Sequence, residues 1–141
     1  MIRAVVDPGV LVSAFISPRG APPDRIVRSW VAGEFELLVS PHLLAELGAV
    51  LARPTFHRHA RLGRAEAFIA AIAAGATVLV DPADPPRVSG DRNDDYLVAL
   101  AKAGRADVMV SGDRHLLELE APEPPVMTPR AFVEHLARAA R

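Results

Sequence analysis

Short apolar runs alternate along this chain with longer stretches in which apolar positions recur every three or four residues. Ile2–Val6, apolar but for Arg3, predicts a buried strand ended by Asp7-Pro8-Gly9. Val10–Ile16 predicts a turn or two of helix, stopped at Ser17-Pro18-Arg19-Gly20. Behind Pro22-Pro23, Asp24 is the expected N-cap of a helix over 25–32, with Gly33 as its stop. Phe35–Val39 reads as a second strand. Ser40-Pro41 then supplies a hydroxyl cap and a proline at the first helical position. Leu43, Leu44, Leu47, Val50 and Leu51 carry the helical period up to Pro54.

An alanine-rich helix is expected over 64–74, ended by Gly75, and a third strand over 77–80. Residues 81–90 form a proline-rich surface loop. A helix over 94–103 closes on Gly104, and a fourth strand covers 108–111. A short helix at 115–119, a short strand at Val126-Met127 and a helix over 130–139 behind Thr128-Pro129 complete the pattern.

Strands separated by helices predict an α/β fold, with a central parallel sheet of about five strands and helices on both faces. No repeat or long linker divides the chain, so residues 1–141 are expected to form one domain. The pattern leaves strand order open. In such sheets ligands bind outside the carboxyl ends of the strands, where Asp7 and Asp113 both stand.

Composition narrows the function classes. There are no cysteines, which excludes disulfides, thiolate metal sites and cysteine nucleophiles. No window approaches the roughly 18 uncharged apolar residues of a membrane span. The first strand begins at once, with no charged leader before it, and a cytoplasmic location is expected. Half the residues are apolar, which suits a surface covered by a partner or by a second copy; the helix over 64–74 is one candidate surface, although the reading preferred for it is a plain core helix. The formal net charge is −1, so the protein is not a globally basic nucleic-acid binder. Charge is uneven, however. No acid lies between Glu46 and Glu66, whereas Arg53, His57, Arg58, His59, Arg61 and Arg64 do. Such a segment suits a phosphate backbone or, equally, a solvated helical hairpin.

Four acids carry the candidate chemistry: Asp7, Glu46, Asp95 and Asp113. Each has an ordinary reading. Asp7 fits an Asx-turn in Asp-Pro-Gly, Asp113 fits a cap for the following helix, and Asp95, with Asp91 and Asp94, fits the acid-rich first turn of a helix. Glu46 sits at the border of an apolar stripe, about 40° from Val50 at about 100° per residue, where a carboxylate needs a partner. Gathered together, four carboxylates call for a hard divalent cation such as Mg²⁺ or Mn²⁺. Ser111, with Asp94 and Asp91, would support them.

The order and context of these acids are more specific than any one of them. Val6-Asp7-Pro8-Gly9-Val10-Leu11-Val12-Ser13-Ala14, Ser40-Pro41-His42-Leu43-Leu44-Ala45-Glu46-Leu47, Asp94-Asp95-Tyr96-Leu97-Val98-Ala99-Leu100-Ala101 and Ala106–Leu117 resemble the four motifs of PIN-domain ribonucleases, in order. The tail Thr128-Pro129-Arg130-Ala131-Phe132 fits as well. The resemblance is to the toxin branch of bacterial toxin–antitoxin pairs, including VapC-like proteins. It implies a metal-dependent endoribonuclease whose Asp7, Glu46, Asp95 and Asp113 hold Mg²⁺ or Mn²⁺. It further implies RNA contacts from Arg53, Arg58 or Arg114, a small cognate antitoxin and a homodimer. One departure stands out: the family usually places a hydroxyl residue and then asparagine after the first aspartate, and here those positions hold Pro8 and Gly9.

The rival within the same fold is a non-catalytic PIN-like module that binds RNA or protein. A phosphoryl-accepting receiver fits poorly, because Asp7 has no acidic neighbour and the one lysine, Lys102, falls on a helix. A haloacid-dehalogenase-type phosphatase needs a second aspartate where Gly9 stands.

Overall fold

The computed structural model describes residues 1–58 and 62–140, with the side chains of 57, 58 and 62 outside that description. Five short strands pair in parallel: β1 (Arg3–Val6), β2 (Glu36–Val39), β3 (Thr77–Val78), β4 (Val108–Val110) and β5 (Val126–Met127). Their spatial order is β3-β2-β1-β4-β5. The register places Val5 opposite Leu38 on one side and Met109 on the other. Seven α-helices are present among the described residues: α1 (Pro8–Ile16), α2 (Pro22–Val31), α3 (Pro41–Leu51), α4 (Leu62–Gly75), α5 (Arg92–Ala103), α6 (Arg114–Leu117) and α7 (Pro129–Ala139).

The strand order explains the layers. From β1 the chain steps through β2 to β3 in one direction, then returns past β1 to β4 and β5 in the other. Right-handed crossovers place the helices of the two excursions on opposite faces. Accordingly α1, α2, α3, α4 and α7 pack in a connected layer, while α5 lies against β1 and β4. The core fills both sides of the sheet. Ala4, Val5 and Val6 of β1, Leu37 to Val39 of β2 and Val108 to Val110 of β4 are all buried, as the continuous apolar runs of a doubly covered parallel sheet require. Phe35 meets Phe132 of α7 edge to face, with centroids 5.1 Å apart.

Several local expectations shift. The cap of α2 is Ala21 rather than Asp24, because Pro22 and Pro23 fill the first helical positions. Asp24 lies in the first turn, where it accepts from the Gly20 amide at 2.8 Å and pairs with Arg28 at 2.9 Å. The third strand ends at Val78, two residues early. The helix expected from Asp94 begins at Arg92 with Asp91 as its cap. The earlier start puts both Asp94 and Asp95 inside the first turn of the helix.

Candidate active site

The chain reverses its direction of travel across the sheet at β1, so a crevice opens at the carboxyl ends of β1 and β4. Asp7 leaves β1 there, its amide donating to the Val110 carbonyl at 2.9 Å. Its Oδ1 accepts from the Gly9 amide at 2.9 Å and so caps α1. Its Oδ2 accepts from the Ser111 hydroxyl at 2.7 Å. Ser111 is fully buried, and its Oγ also accepts from the Asp113 amide at 3.0 Å. One hydroxyl therefore ties the ends of β1 and β4 together and sets two aspartates beside each other. Asp113 Oδ1 caps α6 through the His115 amide at 2.8 Å. A cavity of about 380 Å³ opens on this edge, lined by Asp7, Gly9, Ser13, Gly112 and Asp113 among others.

The third carboxylate is Asp94. It is only 4 % exposed, and its Oδ2 is buried without a hydrogen-bond partner. Burial pushes its carboxyl up to about 6, and the negative charges of Asp113, Asp91 and Asp7 add to that, with His115 opposing. A buried oxygen without a donor, beside three like charges, is costly in an isolated protein.

The structure does not bring Asp95 to this point. Asp95 Oδ1 accepts from the Val88 and Ser89 amides, at 3.0 and 2.8 Å, and from the Ser89 hydroxyl at 2.8 Å. Burial raises its carboxyl, but these hydrogen bonds outweigh that and hold it below the usual carboxylate range. Asp95 thus anchors the 81–90 loop on α5. Asp91 caps α5 through the Asn93 amide at 2.7 Å. Glu46 is half-buried on α3 and has no hydrogen-bond partner among the described residues. Arg53 is exposed at the end of α3. Arg114 is exposed and pairs with Glu118 at 3.4 Å. The side chain of Arg58, with most of the basic segment around it, lies outside the described residues.

Sequence reasoning named Asp95 of α5 as a site residue and Asp94 as a supporting one; in the structure Asp95 turns to the 81–90 loop, and Asp94 is the buried carboxylate with an unpartnered oxygen. Asp94, Leu97, Val98 and Ala101 follow the spacing of a single buried stripe. Sequence reasoning missed the Ser40–Tyr96–Asp81 cluster, in which the Tyr96 hydroxyl donates to Asp81 Oδ1 at 2.6 Å and contacts Ser40 Oγ.

The all-oxygen donor set and the orphaned Asp94 oxygen fit a hard divalent cation. The expected four-acid cluster is not assembled, however. Among the described residues, no three His, Asp or Glu side chains converge closely enough to hold one ion. The physical reason lies in the hydrogen bonds above: Asp95 faces its loop, while Asp7 and Asp113 each spend an oxygen as a helix cap. At the departure from the family pattern, Pro8 starts α1, and a side chain at Gly9 would meet Asp7 Oδ1 at 3.5 Å, an ordinary contact.

Fold, crevice and acid-lined edge together define the class of small parallel α/β domains with a carboxylate centre at the switch point. A PIN-domain family model matches residues 3–115, and the chain belongs to that family. PIN domains are generally nucleases. An uncharacterised protein of Methanocaldococcus jannaschii, MJ1680, is 24 % identical, the match spanning 97 % of this chain and 93 % of the relative. Two solved structures share the fold. PAE2754 from Pyrobaculum aerophilum has a TM-score of 0.64 at 18 % identity, covering 98 % of this chain and 90 % of that one. VapBC2 from Rickettsia felis, bound to a DNA fragment from its promoter, gives 0.61 at 12 % identity, covering 90 % and 98 %. Among the described residues no helix is long and apolar enough to cross a membrane.

Proposed function

We propose that this protein is a metal-dependent endoribonuclease and the toxin of a toxin–antitoxin pair. The observation that carries the reading is Asp94: its carboxylate is buried with one oxygen unpartnered, within range of the charges of Asp113 and Asp7. Asp7, Asp94 and Asp113 would hold Mg²⁺ or Mn²⁺, with Glu46 approaching from α3. The chemistry an ion would supply there is charge neutralisation at the phosphate and a lowered pKa for bound water. Ser111 orients Asp7 and fixes the start of the loop that carries Asp113. Without a cation the carboxylates repel a phosphate backbone, so binding and cleavage are both metal-dependent. Arg53 after α3 and Arg114 in α6, both exposed, would supply cations for the RNA backbone, with Arg58 a further one by sequence. Asp95 supports the site by holding the 81–90 loop rather than by touching the ion.

The setting would be a cytoplasmic complex with a small cognate antitoxin and a second copy of the chain, as the family resemblance implies; the VapBC2 likeness supports the antitoxin. A non-catalytic module that binds RNA or protein is the second reading. The observation in its favour is that no three acids converge among the described residues. Incubating purified protein with a mixed RNA pool, with Mn²⁺ and with EDTA, separates the two. Cleavage restricted to the Mn²⁺ lanes supports the nuclease; intact RNA in every lane supports the module.

A further inference from the structure

A second concavity lies beside the acid centre, and the hydrolytic reading leaves it unused. Its volume is about 540 Å³, inside the span of roughly 300–1,000 Å³ common for small-molecule sites. It opens beyond the carboxyl ends of β2 and β3, between His42 at the start of α3, the loop after β3 and the first turn of α5.

One wall is rigidly built. Asp81 accepts from the Tyr96 hydroxyl at 2.6 Å and from the His42 amide at 3.2 Å. The His42 ring meets Tyr96 edge-on, with centroids 4.5 Å apart. Ser40 closes the network from beneath. A fully connected polar network of this kind fixes the shape of the cavity it borders. Pro82 and Pro85 add flat apolar surface. At the rim, Arg87 and Arg92 are exposed and form no ion pair among the described residues. Of the three carboxylates present, Asp81 and Asp95 are held by internal hydrogen bonds, which leaves Asp84 exposed as a free acceptor.

We propose that this cavity is a nucleotide subsite, which takes the base of the substrate nucleotide next to the bond held at the acid centre. Flat apolar and imidazole faces suit an unstacked base, and guanidinium groups suit its phosphate. Position supports the same assignment. Asp94 and Asp95 are consecutive on α5; one faces the acid centre and the other lines this cavity. A phosphodiester at Asp94 therefore places a neighbouring base within reach of His42 and Asp84. A carboxylate-lined pocket accepts from the amino group of adenine, cytosine or guanine, whereas the carbonyl-rich edge of uracil meets it with like partial charge. That the ligand is a substrate nucleotide rests on the nuclease reading; the existence of the site does not.

The test is amide NMR of the labelled protein in EDTA, titrated with AMP, CMP, GMP, UMP and ribose 5-phosphate. The expected result is shifts at Asp84, Arg87 and Asn93, with at least one amino-bearing nucleotide binding about fivefold or more tightly than UMP and ribose 5-phosphate. Arg87→Ala with Arg92→Ala should weaken that binding by a similar factor. Equal binding of ribose 5-phosphate, or an absence of shifts around the cavity, would overturn the subsite. Nucleotide binding here in a protein that cleaves no RNA would defeat the nuclease reading and leave the subsite standing. Cleavage without nucleotide binding here would remove the subsite alone.

Discussion

Asp94 and Asp95 are adjacent on α5, yet their carboxylates serve different parts of the molecule. Asp94 is buried with one oxygen unpartnered, and the charges of Asp113 and Asp7 reach it. Asp95 accepts three hydrogen bonds from Val88 and Ser89. The pair divides the first turn of α5 between an acid centre and a loop anchor.

Asp95→Ala should therefore act on stability. It leaves the Val88 and Ser89 amides without their acceptor, while the Ser89 hydroxyl keeps the Asp91 carbonyl at 2.9 Å. The expected cost is about 1–3 kcal/mol, read from the urea midpoint. An unchanged midpoint would show that the loop does not depend on Asp95.

The raised carboxyl of Asp94 gives a pH dependence of opposite sign to the usual acid effect. Its folded value, about 6, lies above the ordinary 3.8. The folded state thus binds the extra proton, and this contribution is complete below the ordinary value and lost as pH rises through about 6. In EDTA, raising the pH from 4 to 7 should erode the stability supplied by this group, and Asp94→Asn should remove that erosion. At pH 7 the variant should be more stable than the parent by on the order of 1–3 kcal/mol. The lowered carboxyls of Asp24, Asp81 and Asp95 act in a separate window, losing stability only as pH falls below the ordinary carboxylate range. Thermal unfolding of both proteins across this range decides the sign; identical slopes would show that Asp94 does not titrate there.

Ser111→Ala should affect metal use more than fold. The lost hydroxyl frees Asp7 Oδ2 and the Asp113 amide. Loss of such a supporting partner typically weakens metal affinity about 10- to 100-fold. The Mn²⁺ concentration for half-maximal cleavage should rise accordingly, with much of the rate recovered at saturation. A rate loss that no Mn²⁺ concentration restores would assign Ser111 a more direct role.

Gly104→Ala tests the packing behind the site. An added methyl would lie 2.5 Å from Leu79 Cδ1 and 3.0 Å from Leu38 Cδ1. Overpacking of this kind costs about 1–3 kcal/mol, measurable by urea denaturation. Gly112→Ala, with nothing within 4 Å of the new carbon, is the control for stability and should be close to neutral.

Much of this fold was legible because its signals are local. Parallel strands buried on both faces write continuous apolar runs, and Ser40, Thr128, Gly33 and Gly104 mark helix ends by their own chemistry. The sheet order was not legible, since pairing is set by contacts distant in sequence. The site was half legible. Asp7 and Asp113 follow strands directly, so the strand ends place them. Asp94 was named only in a supporting role, because three acids at the start of α5, with Asp91 as the cap, all fit helix capping. The Tyr96–Asp81 bond joins residues from two elements and leaves no periodic trace. The loop after β3 reads only as proline-rich surface, although Asp81 and Asp95 tie it down at both ends.

On the proposed function, Asp94 and not Asp95 would complete a metal centre with Asp7 and Asp113. Calorimetric titration of Mn²⁺ into the parent, Asp94→Asn and Asp95→Asn proteins tests it most directly. The parent and Asp95→Asn should bind, with binding abolished or weakened more than tenfold in Asp94→Asn. Retained binding in Asp94→Asn together with loss in Asp95→Asn would contradict it.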